Sequence, residues 1–252
     1  MNRIELFKQH LDQKCAVKII SGINNFDIKK AEMVVKAASM AKASAVDVSA
    51  NEEIIKMALE TTSLPVFVSS INPFELAGAV KLGDVAIEIG NYDALYKSGK
   101  IMNPNQILNI TKQTKALIND ESVFISVTVP GHVNINEQIK LAIELEKLGV
   151  NLIQTEGASI ANVQNDNTRG LIEMATVSIA NTIELARNVD IPVMTASGLT
   201  PATVAMAFAS GASAVGVGSC INKLNSLLEM TATATQIVEI AQKNKIECFQ
   251  TV

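Results

Sequence analysis

Short β-branched runs alternate with helix-patterned stretches eight times along this 252-residue chain, and that order leaves few folds open. A strand that is apolar along its length needs cover on both faces. A helix after each strand supplies it and builds parallel βαβ units. The runs fall at 16–20, 45–49, 66–69, 85–89, 123–129, 152–155, 193–196 and 214–217. The intervening helices are read at 28–41, 52–61, 73–81, 104–118, 136–147, 168–188, 201–210 and 224–243. Pro73, Pro104 and Pro201 each stand at a first helical position, and Gly83, Gly149 and Gly211 each mark a helix end. Eight such units predict one (β/α)8 TIM barrel over residues 15–252, with an N-terminal helix over 2–13 capping its bottom. The runner-up, a doubly wound α/β sheet, fits the regular order of eight units less well.

The bulk numbers exclude several classes. Hydrophobic residues make up 48% of the chain, as in an ordered globular domain, and no apolar run reaches the length of a membrane span. A net charge of −4 leaves no electrostatic footprint for nucleic acid. Cys15, Cys220 and Cys248 match neither a disulfide framework nor a metal spacing, so no metal site is expected. Cys220 is read as packing. The start, MNRIELFKQHLDQK, is amphipathic and of mixed charge, and it lacks the apolar stretch of a signal peptide. A homo-oligomer is compatible with this composition.

Residues 191–221, IPVMTASGLTPATVAMAFASGASAVGVGSCI, read as strand, glycine turn, helix, strand and glycine turn. The last two strands of a barrel commonly end in a phosphate cradle. Glycine lets the backbone approach an anion, and amides at a helix start bind it. Gly198, Gly218 and Ser219 are the expected phosphate-binding residues, and a phosphorylated small molecule is the expected partner.

Strand parity then sorts the polar residues. With the valines and isoleucines facing the helices, Lys18, Asp47, Glu88, Ser126, Thr128, Gln154 and Glu156 point into the barrel. Buried charges must pair or reach solvent. One ammonium among carboxylates is an acid–base constellation, so Lys18, Asp47 and Glu88 are the candidate catalytic residues. Lys18 is a candidate for imine formation or proton donation, and Asp47 or Glu88 for the base. Ser126, Thr128 and Glu156 are candidate substrate-binding residues. So is His132, which follows Pro130-Gly131 at the barrel mouth. Two connections are long. Residues 91–103 are read as holding a short helix at 92–97, and Gly157–Asn167 as a lid.

The segments TASGLT and GASAVGVGSCI resemble the last two units of aldolase-type and ribulose-phosphate-binding barrels. They also resemble flavin-mononucleotide barrels of the nitronate monooxygenase kind, although 152–170 lacks the paired glycine and the histidine of the flavin loop. Over its length the chain resembles the hypothetical chloroplast open reading frame 23 family. The segments that carry this are AVKIISGINNFD, AVDVSA, VAIEIGNYD, SVTVPGH and TASGL. That resemblance implies a plastid-encoded protein of the stroma, or a cyanobacterial cytoplasmic one, and implies no reaction. The residues themselves support a lyase, isomerase or aldolase acting on a phosphorylated metabolite, with no cofactor firmly indicated. Two alternatives stand beside it: an FMN-dependent oxidoreductase, and a non-catalytic metabolite-binding regulator that uses the same cradle.

Overall fold

The computed structural model describes residues 3–90, 92–96, 99, 101–157 and 168–250. Helix α1 (Arg3–Asp12) precedes β1 (Ala16–Ile20), α2 (Ile28–Met40), β2 (Ala45–Ser49), α3 (Glu52–Thr61), β3 (Val66–Ser70) and α4 (Pro73–Val80). Next come β4 (Val85–Ile89), the short α5 (Asp93–Tyr96), α6 (Pro104–Ile118), β5 (Ile125–Val129), α7 (Ile135–Lys147) and β6 (Leu152–Thr155). The chain closes with α8 (Thr168–Ala186), β7 (Val193–Ala196), α9 (Val204–Ala209), β8 (Ala214–Val217), α10 (Ser219–Asn222) and α11 (Leu227–Gln250). The eight strands pair in parallel and in sequence order, and β8 pairs back to β1, so the barrel is closed. The lid expected at Gly157–Asn167 lies, from residue 158 on, outside the described residues.

Capping side chains set several helix starts. Asn51, Asn72, Asn103 and Asn134 each accept a hydrogen bond from a first-turn amide, and Asn103 forms a full capping box with Gln106. Several boundaries differ from the sequence reading, two of them with a clear local cause. β5 starts at Ile125 because Asp120 accepts from both the amide and the hydroxyl of Ser122, which holds 120–123 in a turn. α9 starts at Val204 because the Thr203 amide bonds the Thr200 carbonyl, closing a turn over Pro201.

The floor of the barrel is apolar. Phe7 of α1 meets Phe67 and Phe124 edge to face, with ring centres 5.1 and 5.9 Å away. Ala16, Ala45, Ala86, Leu152, Met194 and Ala214 complete this layer. The N-terminal helix therefore plugs the amino end of the barrel. The opposite end, where βα loops gather, is left to polar residues.

Candidate functional site

Alternation along the strands sends Val17, Ile19, Val46, Val48, Ile87 and Ile89 into the shell under the helices. It turns Lys18, Asp47 and Glu88 inward, one layer above the phenylalanines, and all three are fully buried. Lys18 Nζ lies 2.8 Å from Glu88 Oε2, 3.8 Å from Asp47 Oδ2 and 4.7 Å from the centre of the Phe67 ring. Ser69 Oγ donates to Asp47 Oδ2 at 2.5 Å. On the far side Thr128 Oγ1 donates to Glu88 Oε1 at 2.8 Å, and Gln154 Nε2 donates to Thr128 Oγ1 at 2.9 Å. The cluster thus runs across β1, β2, β3, β4, β5 and β6.

Gly90 makes part of this geometry. A Cβ there would stand 2.0 Å from Thr128 Oγ1 and 3.0 Å from Glu88 Oε1, so any side chain would displace the bond between them. Buried polar atoms of the layer, Asp47 Oδ1 and Ser126 Oγ among them, have no hydrogen-bond partner among the described residues. Burial pushes the Asp47 carboxyl up to about 7. Lys18 opposes that rise, Glu88 adds to it, and the bond from Ser69 again opposes it.

The glycine turns sit at the carboxyl ends of β7 and β8, as their sequence predicts, but the two glycines have different reasons. Ser197 and Gly198 both have left-handed backbones, with φ of +76° and +72°. A Cβ on Gly198 would meet the Met174 carbonyl oxygen of α8 at 2.3 Å, so the fold itself requires glycine there. Gly218 has a φ of −118°, and a Cβ on it would meet nothing nearer than 3.6 Å. Packing leaves Gly218 unexplained. Ser219 opens α10, a short helix the sequence reading did not separate from the end of β8. Barrel phosphate sites are frequently completed by such an extra helix. Cys220 on α10 has its thiol pushed up to about 12 by burial, which makes it a poor nucleophile.

Glu156 and His132 come together in a second cluster, through a residue that sequence reasoning missed. Tyr96, at the end of α5, donates its hydroxyl to Glu156 Oε2. The same oxygen of Tyr96 lies 3.1 Å from His132 Nδ1, with the two rings edge to face. The Gly131 amide also donates to Glu156 Oε2, at 3.4 Å. Tyr92 is buried close to both clusters: burial, then Glu156 and Glu88, hold its phenol well above the usual range. No pattern in the sequence marked Tyr96. Ser69 was legible, because Val66 and Val68 face the helices and put Phe67 and Ser69 inside by the parity used for the other strands.

A family model described as "Protein of unknown function (DUF561)" matches residues 1–247. An "Uncharacterized protein ycf23" from Cyanophora paradoxa is 40% identical over 237 residues, covering 94% of this chain and 95% of that protein. Among solved structures, 3-hexulose-6-phosphate synthase from Salmonella typhimurium aligns over 91% of this chain and 99% of its own, with a TM-score of 0.63 at 12% identity. The (S)-3-O-geranylgeranylglyceryl phosphate synthase from Thermoplasma acidophilum, in complex with its substrate sn-glycerol-1-phosphate, aligns over 95% and 97% with a TM-score of 0.61 at 13% identity. These structural likenesses establish a common barrel fold.

Proposed function

The chain belongs to the DUF561 family, and on that premise we propose that it is an enzyme that moves protons on a phosphorylated small molecule, in the lyase, isomerase or aldolase class. The observation that carries this reading is the unsatisfied polar layer. A structural ion-pair network closes its own hydrogen bonds, since a buried polar atom without a partner costs about 1–3 kcal/mol. This layer leaves Asp47 Oδ1 and Ser126 Oγ open in a barrel whose floor is already sealed by phenylalanine. A substrate oxygen or carbon-bound proton would complete it.

The roles follow from the chemistry. A carboxyl that titrates near 7 suits proton exchange at neutral pH, which makes Asp47 the acid–base residue. Ser69 fixes the orientation of its carboxyl through Oδ2 and leaves Oδ1 for substrate. The Lys18 ammonium, pinned by Glu88, would stabilise an oxyanion that forms when a proton leaves the adjacent carbon. A lysine held between two carboxylates serves as a counter-charge rather than as the free amine that imine formation needs. Gly218 and the first amides of α10, with the turn at Gly198, would hold the phosphate. The two aligned synthases, one named for a hexulose 6-phosphate and one in complex with its substrate sn-glycerol-1-phosphate, agree in the chemical class of their ligands. The family resemblance points to a plastid or a cyanobacterial cytoplasm as the protein's place of work.

Binding is tested by calorimetry with inorganic phosphate and with a panel of C3 to C6 sugar phosphates. The wild type is expected to bind at least one panel member more tightly than inorganic phosphate. Gly218→Ala is expected to keep the wild-type melting temperature, because its Cβ has room, and to weaken binding at least tenfold. Equal binding by wild type and Gly218→Ala, or no binding by the wild type, would overturn the cradle.

A further inference from the structure

We propose that His132, Tyr96 and Glu156 form a proton relay from solvent to the barrel mouth, with Glu156 as its inner acid–base group and Tyr96 and His132 as positioning residues. This rests on the reading of the barrel as a proton-transfer enzyme for its purpose, but its geometry stands apart from the Lys18 cluster. Proton counting sets the direction of each bond. A phenol has one proton, and Tyr96 gives it to the carboxylate oxygen of Glu156, which has none to give in return. The contact between Tyr96 and His132 Nδ1 must then take its proton from the imidazole, so Nδ1 carries the hydrogen and Nε2 a lone pair.

The burial gradient runs the right way. His132 is exposed, Tyr96 is half-buried, and Glu156 is 2% exposed at the end of β6. Partial burial lowers the pKa of His132, and the Met102 backbone carbonyl, which accepts from the charged ring, raises it. In one passage a solvent proton adds at Nε2 of His132. The Nδ1 proton passes to the Tyr96 oxygen, and the Tyr96 proton passes to the Glu156 carboxylate. Glu156 is left as the neutral acid and His132 as the neutral Nε2–H tautomer, so charge and protons balance. The reverse passage discharges Glu156 to solvent. Among the described residues, the titratable groups around Glu156 include Tyr96 from α5, His132 from the turn after β5, and Tyr92, which also feels Glu88 of β4. Asn181 of α8 donates to the Glu156 carbonyl at 3.3 Å and carries no charge.

The test needs no substrate. The chain has only two histidines, His10 and His132, so nitrogen-15 spectra of the imidazoles are assigned by one variant. His10 lies at the far end of the barrel with Nδ1 on Ser44 Oγ at 2.8 Å, and serves as the internal control. In the wild type His132 is expected as the Nδ1–H tautomer. Glu156→Gln is expected to lower its titration midpoint by about half a unit, since a carboxylate one hydroxyl away is removed. Tyr96→Phe is expected to move His132 toward the Nε2–H tautomer, and neither variant should move His10. A wild-type Nε2–H tautomer, or a His132 midpoint indifferent to Glu156→Gln, would overturn the relay while leaving the Lys18 cluster and its phosphate cradle untouched. Circular dichroism melts of both variants verify that the fold is intact.

Discussion

Replacing Asp47 with asparagine should destabilise the protein in acid and stabilise it in base. Folded, Asp47 holds its proton up to about pH 7; unfolded, it gives the proton up near 3.8. Between those values the folded state binds more protons than the unfolded chain, so stability falls as pH rises through the window. A gap of about three units amounts to about 4 kcal/mol once Asp47 is fully ionised. The asparagine side chain cannot ionise and escapes that loss. Its amide group, however, stands where the buried Oδ1 has no partner, which costs about 1–3 kcal/mol. At pH 3, where the unfolded carboxyl is still mostly protonated, Asp47→Asn should therefore be less stable than the wild type by about 1–3 kcal/mol, and at pH 9 more stable by about 1–3 kcal/mol. Urea denaturation of both proteins at half-unit intervals from pH 3 to 9 reads the crossing directly. Parallel curves, or a wild type that gains on the variant as pH rises, would refute the reasoning.

Three further substitutions separate the parts of the barrel. Lys18→Met leaves Asp47 and Glu88 buried without their cation. It should lose about 3–5 kcal/mol in urea denaturation at pH 8, with a smaller loss at pH 5, where Asp47 is neutral. Gly90→Ala drives a methyl against Thr128 Oγ1 and breaks its bond to Glu88. The expected cost is about 1–3 kcal/mol by thermal melt, with turnover lost more than stability. Phe7→Ala opens the floor below the charged layer and should cost about 3–5 kcal/mol, while phosphate affinity at the opposite end stays within twofold of the wild type.

Much of this molecule was legible in its residues because parallel barrels obey two strict periodicities. β-branched runs, each followed by a helix whose start is often marked by asparagine, set the eight units. A side-chain period of two then placed Lys18, Asp47, Glu88, Ser126, Thr128 and Gln154 inside, where all are buried. The same period brought Glu156 to the mouth. What could not be read depends on loops and on register between strands. Whether Lys18 meets Glu88 or Asp47 more closely depends on the stagger of β1 against β2 and β4, which no single strand encodes. Tyr96 stands on a four-residue helix whose direction comes from packing of Tyr92 and Leu95 into the shell. The distinct roles of Gly198 and Gly218 were also hidden. Gly198 answers to the Met174 carbonyl of a preceding helix, whereas Gly218 answers to no close contact among the described residues.

The most direct measurement of the central claim is solvent deuterium exchange. Members of the sugar phosphate panel that carry a carbonyl are incubated in deuterium oxide with enzyme, and proton NMR follows the carbon next to that carbonyl. At least one member should exchange one proton for deuterium with the wild type, and at least a hundredfold more slowly with Asp47→Asn. If every member exchanges at the rate of buffer alone, or if Asp47→Asn exchanges as fast as the wild type, the barrel's buried charges are not its acid–base machinery.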